Sequence, residues 1–442
     1  MAVELTNAIY HLGDNDVIRR TSKVKQLVDI LRIDVGSTSG SNDQTASNTI
    51  NTRKKYEVFV TGGIGQDMSP VTSSLFQTVF DQDYETQTAN ELLDITMGCF
   101  KDSSIVTGNL DLTQGIEVDG SPSGIDASGK MIFTNDVLMM REKVNIYKQY
   151  AQYLLGDGDA YFSAPYSIED TVFVHTGSNG EKSYRERIDE AIFINFKRLF
   201  VRDGIVKEQF VMRLLEEAAD VSGSVTSNLG VDGKSSSETS ITDTGALTSL
   251  TVTTTGGSVA TLVKDSVSEG EDENVGLIFY EKGIIVLDAA RIFNTTQNIS
   301  GSIPAVSGTT GFDNGNLDFD QPLVPNLWAT GSIDSVLDHL CLTRFGRSNA
   351  SAVGFINQTF INSTTYICRV APSQANYSRN PTYTNDDGTL RVIEEKGDDP
   401  FAYITTVGLY DASNNLLAVA KTSRPIEKNP EIDLSISVRI DY

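Results

Sequence analysis

The sequence predicts a mixed, predominantly β chain. It would form antiparallel sheets or a sandwich, with a few helices (about 135–155 and 332–345) and a polar N-terminal arm. Three observations carry that expectation. The last twelve residues, Glu431 to Tyr442, place an apolar side chain at alternate positions: Ile432, Leu434, Ile436, Val438, Ile440 and Tyr442. Period two marks a strand with one face against protein. Elsewhere, apolar β-rich runs flank turn residues such as Asp203-Gly204 and Asp387-Gly388, and such pairs favour hairpins. Clear helical periodicity is sparse.

Taken in order, residues 15–32 read as a helix, with Val24, Leu27, Val28 and Leu31 on one face. Gly36 to Thr52 is polar and low in complexity and reads as a flexible arm. Strand periodicity returns at Tyr56, Val58 and Val60. From Asn135, the residues Val137, Met140, Val144, Tyr147, Ala151 and Leu154 form one helical stripe, with Asn135 as cap and Gly156 as stop.

Two hairpins are expected next, one turning at Asp203-Gly204 and one at Glu281 to Gly283. Between them, residues 221–260 are rich in Ser, Thr and Gly, yet "SLTVTTTGG" keeps strand character, so the stretch reads as a β excursion. Helix 332–345 buries Ile333, Val336, Leu337, Leu340 and Cys341, with Ser332 as N-cap. Further strands follow, turning at Asp387-Gly388 and at Ser413 to Asn415. The final strand is expected to pair with 403–410 or 416–423 and so close a sheet edge. By composition the chain divides into 1–52 (helix and arm), 53–130 (small mixed segment) and 131–442 (main β-rich domain, with an excursion at 221–272).

The chain has 442 residues, 59 acidic and 35 basic, for a net charge of −24. Nucleic acid and anionic membrane are poor partners for such a surface, since both demand concentrated Lys and Arg. Cys99, Cys341 and Cys368 are too few and scattered for a disulfide framework. No apolar run approaches the roughly 20 residues needed to cross a bilayer, and the start carries no secretory pattern. Asn-x-Ser/Thr triplets at Asn298, Asn362 and Asn376 then read as chance matches.

Chemistry-bearing patterns are weak. "VFVTGGIGQD" runs a strand into Gly62-Gly63-x-Gly65, as a dinucleotide turn would, with Asp81 and Asp83 near ribose-ligand distance. Met68 occupies the third glycine position and Pro70 follows, so a glycine-rich bend is the better reading. His11, His175 and His339 have no metal-ligand spacing to one another or to a cysteine. Asp157 with Asp159, and Asp386 with Asp387, sit in turn-forming loops that do not match a calcium loop. Met139, Met140 and the tyrosines at 147, 150 and 153 read as packing residues. The expectation is therefore no catalytic, cofactor or metal residue. The sheet face of Ile432, Leu434, Ile436, Val438, Ile440 and Tyr442 is the one candidate site.

From about residue 131 the sequence resembles a virion structural protein of large contractile-tailed phages. The stretches that carry the likeness are "MMREKVNIYKQYAQYLLGD", "NFKRLFVRDGI", "VGLIFYEKGIIVLD", "QNISGSI", "NSTTYICRVAPSQANYSRNPTYTNDDGTLRVI" and "ITTVGLYDASNNLLAVAKTSRPIEKN". The last is also similar to a β module of phage tail-fibre and collar proteins. The resemblance implies a non-enzymatic particle component, at the baseplate or elsewhere on the tail. Its partners would be other phage structural proteins and copies of itself, a trimer being one arrangement. A neck or capsid-surface position, and a host-receptor or glycan binder using the loops of 221–272, are the alternatives. Val221 to Asp272 contains no Phe, Tyr or Trp, which counts against the binder.

Overall fold

The computed structural model describes residues 12–30, 53–55, 59–64, 70–81, 87–107, 133, 135–164, 175–176, 182–183, 187–215, 238–264, 273–293, 327–341, 353–378, 380–391, 393, 395 and 397–442. Among them the protein is predominantly β, with antiparallel sheets and few helices. The first strands are β1 (Val17–Ile30), β2 (Arg53–Lys55), β3 (Phe59–Ile64), β4 (Pro70–Ser73), β5 (Gln77–Phe80) and β6 (Glu91–Cys99). Next come β7 (His175–Thr176), β8 (Lys182–Ser183), β9 (Glu190–Phe196), β10 (Gly204–Leu215), β11 (Glu238–Thr242), β12 (Thr251–Thr253) and β13 (Gly257–Lys264). The last are β14 (Glu273–Phe279), β15 (Ile284–Asp288), β16 (Val353–Val370), β17 (Ala402–Tyr410), β18 (Leu416–Lys428) and β19 (Leu434–Asp441). Helices are α1 (Ser104–Thr107), α2 (Asn135–Leu154), α3 (Arg198–Val201), α4 (Ala289–Ile292), α5 (Trp328–Thr330) and α6 (Ile333–His339).

Packing divides the chain differently from the composition segments. One compact unit comprises residues 25–359, the other 1–24 together with 360–442. In the larger unit the ladder runs β16-β10-β11-β13-β14-β15-β9-β6-β5-β2, with β12 beside β13. Every one of these pairings is antiparallel. Its central strands are apolar on both faces: all seven residues of β9 except Asn195 are buried.

Helix α2 covers this sheet with the stripe read from the sequence. Val137, Met140, Val144, Tyr147, Ala151 and Leu154 are all buried. Burying six such side chains contributes roughly 10 kcal/mol of gross transfer free energy, which the entropy of ordering offsets in large part. The helix lies close on β6 at Gly98, where a Cβ would come within 2.8 Å of the Tyr147 amide nitrogen. The stop at Gly156 is left-handed (φ +87°), as expected. Phe162, Phe193 and Tyr147 interlock edge to face beneath the helix.

Three sequence expectations are corrected. Residues 17–30 are a strand, not a helix. Val17, Ile18, Thr21, Val24, Val28 and Ile30 are β-branched, which favours a pleated surface. The supposed helical stripe has no core to face either: Val28 is buried, while Val24 and Leu27 are 50% and 68% exposed. Leu31 lies outside the described residues.

The runs around Asp203-Gly204 do not form a hairpin. Both edges of β9 are taken by β15 and β6, and β10 pairs with β11 and β16. The short α3 intervenes between them. Gly204 still turns the chain, at φ +151°. Finally, β19 pairs with β16, Ser363↔Asp441 to Val370↔Leu434, and not with 403–410 or 416–423. Those two segments, as β17 and β18, close on each other instead.

Other readings match. β14 and β15 form the hairpin turning through Gly283, at φ +65°. "SLTVTTTGG" supplies β12 and leads into β13. Ser332 caps α6, accepting from the Ser335 amide at 3.2 Å. The α-helix runs to His339 and continues as π-helix through Leu340 and Cys341; residues 342–345 lie outside the described residues. The arm at Gly36 to Thr52 lies outside the described residues.

Candidate functional site

The smaller unit carries the C-terminal strands. In β19, half-buried Leu434, Ile436, Val438 and Ile440 alternate with exposed Ser435, Ser437, Arg439 and Asp441. Beyond the strand, Ile432 and Tyr442 are 40% and 72% exposed. The exposed face is knitted to β16: Ser363 Oγ donates to Asp441 Oδ1 at 2.6 Å, and Arg439 Nε pairs with the same oxygen at 2.7 Å. Those contacts, the serine hydroxyl first, hold the Asp441 carboxyl below the usual carboxylate range.

Strands β17 and β18 make a two-stranded sheet joined by a polar turn. The Asp411 carboxylate accepts from the Ser413 and Asn415 amides at 2.8 Å each and from Asn415 Nδ2 at 2.9 Å. Asn414 takes the left-handed conformation, at φ +62°, which Asn tolerates. Beyond the turn, register places Tyr410 opposite Leu416 and Gly408 opposite Val419, so these residues share a face. The Tyr410 ring lies over Gly408, beside Leu416. Tyr410, Leu416 and Val419 stay 61%, 52% and 53% exposed, and Leu417, extra at the bulge, 68%. The opposite face, with Val407, Leu409, Ala418 and Ala420, is half-buried.

The base of this hairpin is fixed by Lys428, whose side chain is buried. Its ammonium donates to Asn376 Oδ1 and the Asn429 carbonyl at 2.7 Å each, and to the Pro372 carbonyl at 3.1 Å. Burial holds its pKa below the ordinary lysine value.

In the larger unit a groove opens at the C-terminal end of α2. Lys148, Gln149, Gln152, Tyr153, Gly158, Thr255 and Lys282 line a space of about 730 Å³. The Lys282 ammonium stands 4.9 Å from the centroid of the half-exposed Tyr153 ring. Gln152 is preset, donating to the Gly156 carbonyl and accepting from the Gly158 amide, both at 3.1 Å. Asp159 lies just outside, bonded to Lys101 at 2.8 Å and 3.6 Å from Lys148. The Lys101 hydrogen bond lowers the Asp159 pKa.

The weaker sequence candidates separate. β3, which contains Gly62 and Gly63, pairs antiparallel with β4, Ile64 opposite Pro70, so the two strands form a ribbon; residues 65–69 between them lie outside the described residues. Asp81 binds the Asn90 amide and side chain at 2.8 and 2.9 Å. Gly65 and Asp83 lie outside the described residues. Asp157 and Asp387 each accept from the backbone amide two residues on, at 2.9 and 3.0 Å, as turn residues do. Met140 and Tyr147 are buried, and Tyr150 packs on the core, stacked on Phe193 at 4.1 Å. No disulfide joins the three cysteines. Cys99 is buried and accepts from Trp328 Nε1 at 3.0 Å; burial pushes its thiol up to about 12. No three His, Cys, Asp or Glu side chains among the described residues cluster to hold a metal ion. Among those residues, too, no helix is long and apolar enough to cross a membrane.

Two features escaped the sequence reading, the groove and the buried lysines. The groove joins residues from α2, the turn after it, the β12–β13 turn and the β14–β15 turn, so no local pattern announces it. Comparison with family models, curated proteins and solved structures gives no match for this chain.

Proposed function

We propose that this chain is a structural subunit of a contractile-tailed phage particle, at the baseplate or elsewhere on the tail. It works by contact with copies of itself and with neighbouring particle proteins. The resemblance of the stretches quoted above gives the particle class. The observation that carries the assembly role is the hairpin β17–β18. It exposes Tyr410, Leu416, Leu417 and Val419 together at the tip of a two-stranded sheet. A two-stranded ribbon is marginal in water on its own, and contiguous apolar exposure marks an interaction surface. Among the described residues neither outer edge of the hairpin pairs with a third strand, which suits strand addition.

The test is to replace Leu417 and Val419 by Glu and follow association of the full chain by sedimentation. Both positions are exposed, so the melting temperature should hold while association weakens by at least about tenfold. Association equal to the parent's would overturn the hairpin as the contact surface.

A further inference from the structure

At the base of the β17–β18 hairpin a lysine meets a side-chain amide. Lys428 Nζ lies 2.7 Å from Asn376 Oδ1, and both side chains are buried. We propose that the two side chains join, the Lys428 amine displacing the Asn376 amide nitrogen to leave an isopeptide bond. The chain thereby modifies itself, with no second protein.

The Asn376 carboxamide differs from the other acceptors of Lys428. The Pro372 and Asn429 carbonyls belong to the main chain, and attack on either would cut it. Cγ of Asn376 carries instead a nitrogen that can leave. Its C=O bond is about 1.2 Å long, so Nζ stands no more than about 3.9 Å from Cγ. Near-attack distances are about 3–3.5 Å, so a small approach suffices. The Pro372 carbonyl accepts from Asn376 Nδ2 at 2.8 Å and from Lys428 Nζ at 3.1 Å, which holds the leaving nitrogen beside the attacking one. Ala375, directly before Asn376, is left-handed at φ +54°. An L residue takes that conformation at a cost, which the surrounding structure must hold in place.

Attack needs a neutral amine. Among the described residues Lys428 bonds three neutral oxygens and no carboxylate. Burial lowers its pKa, because a charge held out of water is costly. The amine electron pair forms the Nζ–Cγ bond, the Cγ–Nδ2 bond breaks, and a proton passes from Nζ to Nδ2, which leaves as ammonia. No oxidant or second substrate is needed. Asp433 is the carboxylate whose charge acts on Lys428, and it carries that proton between the two nitrogens. The bond joins positions 52 residues apart and closes a loop that contains β17 and β18. That loop presents the face assigned above to assembly, but the bond depends only on the geometry at its base.

Peptide mapping of the purified full chain by mass spectrometry tests this. The expected result is a branched peptide carrying residues 376 and 428, lighter than the two separate peptides together by one ammonia, about 17 Da. Lys428→Arg and Asn376→Ser, each alone, should give only unbranched peptides. Asp433→Asn should leave most chains unlinked. The readout is made on denatured chain, so it does not require a variant to fold as the parent does. Unbranched peptides at both positions in the parent would overturn the proposal, and so would the same mass loss confined to the Asn376 peptide. Full linkage in Asp433→Asn would overturn Asp433 as the proton carrier.

Discussion

Lys143 is fully buried beneath α2, its ammonium 2.6 Å from both the Trp328 and the Gly331 carbonyl oxygens. Its burial went unread, although its place in the helix could have signalled it. It stands three residues after Met140 and four before Tyr147, on the stripe itself. What it bonds was not legible, because the acceptors lie about 185 residues away in the chain. Replacing it by Met keeps the stem but strands two buried carbonyls, so urea unfolding should show a loss of about 2–4 kcal/mol. A change under about 0.5 kcal/mol would contradict the role. A second residue-scale prediction concerns Asp411. Hydrogen bonds from Asn415 lower its pKa in the folded chain. The stability it lends the turn is therefore present above the unfolded value of about 3.9 and is lost as pH falls through the lower folded value. The amide signals of Ser413 and Asn415 should titrate together with a midpoint below about 3.9; a midpoint above it would refute the network.

Elements were read well where one period ran long. The α2 stripe and the β14–β15 and β17–β18 hairpins follow from spacing and turn residues alone. β1 was misread because four apolar residues at helical spacing also fit a strand, and only the missing core decides between them. The partner of β19 was misread because alternation fixes which face packs and says nothing of which strand supplies the ladder. The β9–β10 pairing failed for a similar reason, since a buried strand binds on both edges and β9 was already taken. At this scale Gly283 is sharply constrained: its φ is +65° and a Cβ would run into Val201. Gly283→Ala should cost about 2–4 kcal/mol in thermal unfolding, and a neutral result would mean the turn adapts. Ile436 is half-buried, so Ile436→Asp should cost about 1–2 kcal/mol, less than a core charge, while exposed Ser435→Asp stays within about 0.5 kcal/mol. Equal losses at the two positions would deny β19 a packed face.

For the whole molecule, the resemblance suggested a subunit that assembles; the hairpin face is the surface proposed for that contact, and the α2 groove is a second open surface. Neither surface was legible beforehand. The hairpin face depends on register and a bulge, and the groove on four separated turns and ends. As proposed, the chain works in assembled particles, by contact and not turnover. Quantitative mass spectrometry of purified tailed-phage particles from infected cells tests that most directly. The account predicts this chain in the particles, in a fixed number of copies greater than one. Its presence only in the surrounding lysate, with none in the purified particles, would contradict it.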